Sequence, residues 1–185
     1  MTTERYSVHE AELLARKYAN ITSEKQFAQS FWRDIFRQVC GIHDLIAVGI
    51  EFEYPVRSHL NGNIKFIDAL WPGIVLIEHK SAGEDLDKAE QQAREYLMFL
   101  EAAKRPPVII LSDFVRMRII EVIAGNTNEF LLTELPANVG RLERIIGDSG
   151  LGSARVEVAA DTRAANLMSE LFVQFEKAGY TGHDV

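Results

Sequence analysis

Residues 66–86 read FIDALWPGIVLIEHKSAGEDL, two apolar runs that meet at Trp71-Pro72-Gly73. A run as apolar as GIVLI has the composition of a buried strand, yet it ends in Glu78-His79-Lys80, and Asp68 interrupts the run before it. Buried charges are costly unless they are paired or bound to a cation. The WPG turn predicts a β-hairpin, and side chains on its two strands alternate between faces. Ile74, Leu76, Glu78 and Lys80 then share one face, with His79 on the other, while Ile64, Phe66, Asp68 and Leu70 likewise share a face. A hairpin centred on Gly73 sets Asp68 opposite Glu78, each five residues from the centre. Opposed residues have Cβ atoms roughly 4.5–5.5 Å apart.

Two carboxylates at one spot repel, and one must take a proton unless a cation intervenes. Mg²⁺ is a hard ion that keeps several waters and takes one or two carboxylates plus substrate phosphate. It polarises a scissile phosphate and activates a water for attack. Lys80, beside it, is placed to steer that water or to stabilise developing charge. Asp68 and Glu78 are therefore candidate metal ligands, and Asp68, Glu78 and Lys80 candidate catalytic residues. The plain alternative is a strand-end ion pair between Glu78 and Lys80, worth little, with Asp68 capping the turn. Spacing alone leaves both open.

Working outward, the run from Ala82 to Lys104 predicts one long helix with acidic residues in its first turn, as the helix dipole prefers. Leu86, Ala89, Ala93, Leu97 and Leu100 form its core stripe; Gln92 and Tyr96, four apart, stack on one face. Those two can support an acidic site, or be an ordinary helix former and a packing aromatic. Ser81 is expected to start the helix. Upstream, helices are expected from about Glu10 to Tyr18 and from Glu24 to Val39, the latter capped by Thr22 or Ser23. A strand is expected over IAVGIEFEYPV, stopped by Pro55. Downstream, PPVIILSDF, RMRIIEVI and EFLLTEL predict three more strands, followed by helices near 136–146 and 162–177 with GDSGLGS between them. The order helix, helix, three strands, helix, three strands, helix predicts an α/β (α+β) mixed sheet flanked by helices.

The chain of 185 residues suffices for one sizeable core. No apolar run approaches the roughly 20 residues of a membrane helix, and MTTERYSVHEAELL lacks a secretion leader. The single cysteine, Cys40, excludes an internal disulfide and a cysteine-rich zinc site. A cytoplasmic setting is expected, with no membrane partner. The net charge of −7 excludes tight nucleic-acid binding by bulk charge. If the chain acts on DNA, something else delivers the DNA.

Asp68, Glu78 and Lys80 resemble the PD-(D/E)XK nuclease motif, and Gln92 with Tyr96 resembles the QxxxY motif of some of its branches. More narrowly, the Asp-x-x-Trp-Pro-Gly turn, the Ile-Glu-x-Lys-Ser strand end and the Gly-x-Asp-Leu-Asp-Lys-Ala helix start are similar to the N-terminal endonuclease domain of MmeI-like type IIL restriction–modification enzymes. The likeness extends to FWRDIFRQVCGI, FEYPV, SDFVRMRI, EFLLTEL and GYTGHDV. It implies a restriction-endonuclease-like fold over residues 1–147, with 148–185 as linker and helical segment leading into a spacer domain. It also implies Mg²⁺-dependent cleavage of double-stranded DNA, with Mn²⁺ as a substitute, at a distance from the recognised site. Asp68 and Glu78 would be ligands, Lys80 the catalytic lysine, and Gln92, Tyr96 and Glu24 supporting residues. S-adenosylmethionine would enter only through linked methyltransferase and target-recognition domains, whose motifs this chain lacks. Cutting both strands implies association of nuclease domains at the DNA.

Two other readings stand beside this one. The first is a catalytically silent nuclease-fold module for assembly or DNA contact in a restriction or defence system. The second is a nuclease for single-stranded or branched substrates. Among the remaining residues, His79 is expected to pack, Trp71 and Pro72 to shape the turn, and Phe27, Phe31, Trp32 and Phe36 to form core. Arg57, Lys88 and Arg94 are expected to be solvated surface charges.

Overall fold

A computed structural model describes residues 3–58 and 62–147, with side chains from residue 7 onward. The linker and helix expected beyond residue 147 lie outside the described residues. Helices α1 (Thr3–Tyr18) and α2 (Glu24–Asp34) come first, and α2 runs on as a π-helical turn, Ile35–Val39. Strands β1 (Glu51–Arg57), β2 (Ile64–Trp71) and β3 (Val75–His79) follow, then helix α3 (Leu86–Phe99). Strands β4 (Val108–Ser112), β5 (Arg116–Glu121) and β6 (Thr127–Leu131) complete the sheet, and α4 (Leu135–Ile146) ends the described chain. The six strands lie in sequence order. All neighbours pair antiparallel except β3 and β4, which are parallel. A parallel pair needs a crossover, and α3 supplies it. The sheet is mixed, as the sequence predicts.

Helix α3 covers one face. Leu86, Ala89, Ala93, Tyr96 and Phe99 pack on Leu76, Ile109, Leu111 and Ile120 from the central strands. On the other face, Phe31 and Trp32 of α2 meet His79 and Phe114, with ring centroids 4.1–6.0 Å apart among these contacts. Phe36 is buried with them and Phe27 is half-buried. The β2–β3 hairpin closes as expected: Trp71 pairs with Val75 across a three-residue loop. Gly73 sits there at φ 74, a left-handed position that disfavours a side chain.

Three local expectations need correction. Strand β1 passes through Pro55, which pairs with Phe66, rather than stopping there; β1 is an edge strand, where a residue without an N–H is tolerated. Residues 46–49 form turns instead of extending the strand. The expected long helix is shorter, Leu86–Phe99, with a separate 3₁₀ turn at Ala102–Lys104. Its N-cap is Asp85, whose carboxylate accepts from the Asp87 N–H at 2.9 Å, so Ser81 does not start it. Residues 81–85 form a loop because the β4–β5 turn competes for them. Asp113, fully buried, accepts at Oδ2 from the Gly83 N–H (3.3 Å) and from the Arg116 guanidinium (2.7 Å). Its Oδ1 takes the N–H groups of Val115 and Arg116, and Arg116 also donates to the Glu84 carbonyl at 2.9 Å.

Asp113→Ala strips one acceptor from several donors at once. It is expected to lower stability by roughly 1.5–3 kcal/mol, measured by urea unfolding, with unchanged far-UV circular dichroism at low urea.

Candidate metal centre

Glu78, the penultimate residue of β3, lies on the face that Leu76 presents to α3, while His79 points to α2. Alternation on β3 is therefore as the sequence predicts. The β2–β3 register Ala69↔Ile77, Leu70↔Leu76, Trp71↔Val75 sets Glu78 one step beyond, in line with Asp68. The regular pairing stops there, because the Asp68 side chain takes over from the backbone: its Oδ2 accepts from the His79 N–H at 2.6 Å.

Strand β2 departs from the expected facing. Ile67 and Leu70 both pack in the α3 core, although residues three apart on a regular strand face opposite ways. Lys65 also reaches α3, pairing with Glu95 at 2.9 Å, whereas Ile64 and Phe66 are about half exposed. Strand β1 makes the same change. Val56 and Tyr54 face the α3 core, yet the Phe52 ring lies under the Arg33 guanidinium of α2, 5.2 Å away. Both strands turn over in one row, at Glu53 and Asp68. Glu53 sits there at φ 51, a conformation uncommon for any residue with a Cβ. The Asp68 carboxylate is thereby freed from either face to reach across to β3.

Lys80 follows β3. Its ammonium donates to Glu78 Oε1 at 2.8 Å and to Gln92 Oε1 at 3.1 Å, and the Gln92 amide donates to the Tyr96 hydroxyl at 2.5 Å. Gln92 thus orients Lys80, while the buried Tyr96 ring packs in the α3 core and its hydroxyl fixes the amide. Glu24, the first residue of α2, places its charge within electrostatic reach of Asp68, Glu78 and Lys80. Its backbone N–H meets Ser81 Oγ at 3.5 Å, and Ser23, at the N-cap position, makes no side-chain cap bond. All six residues singled out in the sequence converge on one end of the β2–β3 hairpin.

The electrostatics are those of a crowded acidic site. Burial, followed by repulsion from Asp68, pushes the Glu78 carboxyl up to about 8, and its ion pair with Lys80 only partly opposes this. Burial likewise raises Asp68 to about 6; the His79 N–H opposes the rise, and the charges of Glu24 and Glu53 add to it. Burial works against the charge on Lys80, but Glu78 outweighs it, so the lysine lies above its ordinary value. Glu78 Oε2 is buried with no hydrogen-bond partner. A buried carboxyl oxygen without a donor, beside a second carboxyl, suits a hard cation, which displaces the proton. Among the described residues, no three His, Cys, Asp or Glu side chains form a ready-made metal cage, and Mg²⁺ does not require one because water and phosphate complete its shell.

Other residues fall into supporting places. His79 is fully buried, with Nδ1 accepting from the Trp32 indole N–H at 3.1 Å. Sequence reasoning gave Trp32 no part in holding the centre of the Glu-His-Lys segment. Trp71 is buried edge-on to Phe36, which leaves it no face for a base. Arg94 pairs with Glu90 on the α3 surface. Glu53 carries no local sequence signal, because a strand that ends at Pro55 gives no register across β1 and β2.

A carboxyl whose folded-state pKa is raised favours the folded state below its unfolded value and loses that advantage as pH rises through the folded value. The metal-free chain should therefore lose stability between about pH 4 and pH 8. Glu78→Gln should flatten this slope and raise Tm at pH 8. Mg²⁺ should raise the wild-type Tm at pH 8 but not at pH 5, as differential scanning fluorimetry would register.

No curated protein matches the sequence. Among solved structures, the chain is similar to part of a cryo-electron-microscopy structure of a DrdV–DNA complex, with a TM-score of 0.50 and 11% identity. The match covers 76% of this chain but only 13% of that one, and at such low identity the likeness is one of fold. Residues 8–178 match the family described as MmeI, N-terminal domain, and with that span nearly the whole chain belongs to this family.

Proposed function

We propose that the chain is a PD-(D/E)XK endonuclease domain that hydrolyses DNA phosphodiester bonds with Mg²⁺, within a restriction–modification protein. The observation that carries this reading is the orphaned Glu78 Oε2 beside Asp68, with the Lys80 ammonium 2.8 Å from the other Glu78 oxygen. Membership of the MmeI N-terminal family and a fold shared with part of a DNA complex support it.

Asp68 and Glu78 would hold the cation. When bound, the ion would polarise a phosphate oxygen and make water more acidic. The His79 N–H fixes Asp68, and Gln92 fixes Lys80, so both are set before substrate arrives. Lys80 stays protonated and offers positive charge to a pentacoordinate phosphorus. Linked recognition and methyltransferase domains, the latter using S-adenosylmethionine, would supply the affinity for double-stranded DNA that a chain of charge −7 lacks. Cleavage would then fall at a distance from the recognised site, and cutting both strands with one site per chain would bring two nuclease domains together there.

A second reading, a silent nuclease-fold module, is favoured by the direct Glu78–Lys80 pair, which by itself is an ordinary ion pair. Cleavage of a duplex by the complete polypeptide decides between them. Asp68→Ala and Lys80→Ala should reduce cleavage to background with duplex affinity unchanged, and Gln92→Ala should slow it roughly 10–100-fold. Undiminished cleavage by Asp68→Ala would establish the silent module. Faster cutting of single-stranded or branched DNA would replace the duplex substrate.

A further inference from the structure

Glu53 stands at a position the fold alone does not explain. It lies between Phe52↔Ala69 and Tyr54↔Ile67, so its row in β1 is that of Asp68 in β2, and β2–β3 register carries the row on to Glu78. Its φ of 51 is left-handed, and this is where β1 turns over. Glycine or asparagine serves such a position at lower cost. The Glu53 side chain is exposed, so packing does not demand it. A glutamate held against its backbone preference, in the row of a carboxylate it repels, Asp68, points to a use for the carboxylate itself. Strain retained in this way clusters at functional sites.

We propose that Glu53 is a further carboxylate of the metal site, holding the cation's water ligands rather than the cation. The proposal rests on the reading of Asp68 and Glu78 as cation ligands. The buried, unpartnered Glu78 Oε2 is the second observation that directs a cation to this row. Outer-shell contact is the form that fits, because the described residues contain no three-ligand cage and Mg²⁺ keeps several waters when two carboxylates bind it. The turnover in β1 therefore has two consequences. It lets Asp68 swing to the His79 N–H, and it brings a third negative group to the row.

Mn²⁺ binding, followed by electron paramagnetic resonance of free Mn²⁺ at pH 8, separates these claims in the 185-residue chain. Wild type should bind one ion and Asp68→Ala none. Glu53→Gln keeps the backbone and volume but loses the charge, and it should weaken Mn²⁺ roughly tenfold. Glu53→Gly should weaken Mn²⁺ equally while raising the metal-free Tm, since glycine accepts the left-handed conformation. Wild-type affinity in Glu53→Gln, with Asp68→Ala still unable to bind, would overturn the role of Glu53 and leave the site standing. Absence of Mn²⁺ binding by wild type would overturn both.

Discussion

The hydrogen bond from the His79 N–H to the Asp68 carboxylate, 2.6 Å long, is the contact on which the site depends. In the paired rows of the β2–β3 ladder, backbone meets backbone; here a side chain accepts the N–H. That substitution ends the β2–β3 ladder one step early and leaves a gap lined by acid. It requires Asp68 to lie in neither face of the sheet, which β1 and β2 achieve by turning over together at Glu53 and Asp68. His79 must in turn be immobile, and the aromatic cluster of Trp32, Phe31 and Phe114 makes it so. A core of rings on one face thus fixes a row of charges on the other. Glu78, next to His79, has no freedom to move away from Asp68.

The energetic consequence is a site that is unfavourable by itself. Burial raises the pKa of both carboxyls, Asp68 adds to the rise at Glu78, and one oxygen has no donor. Lys80 compensates only in part, because burial and the Asp68 charge together outweigh it. An arrangement of this kind persists when the remainder of the fold holds it, here α3 on one side and the Asp113–Arg116 turn on the loop beyond. Acid concentrated at one end of the sheet also makes the isolated domain a poor ligand for DNA. On the proposed reading, binding and chemistry are separable tasks, and the acidic domain would serve the second.

Much of this was legible in residues 64–104 because their signals are local. The period of two in GIVLIEHK fixes which side chains meet α3, and counting outward from Gly73 sets Asp68 in line with Glu78. The four-residue spacing of Gln92 and Tyr96 brought them together on α3 as expected. What was not legible depends on contacts distant in sequence. The face change at Asp68 needs the matching change in β1, and nothing in the sequence around Asp68 reports the backbone conformation of Glu53. The loop at 81–85 competes with a helical pattern and wins because Asp113, thirty residues on, captures Gly83. Pro55 misled because its cost depends on whether a strand is at the edge, which is a property of the whole sheet.

The measurement that bears most directly on the metal centre is an anomalous difference map from crystals of the chain soaked in Mn²⁺ at pH 8. A single peak between the Asp68 and Glu78 carboxylates, with Lys80 still hydrogen-bonded to Gln92, is the expected result. A map without a peak there, both with Mn²⁺ alone and with a bound DNA duplex, would show that the two carboxylates are not a cation site and contradict the account.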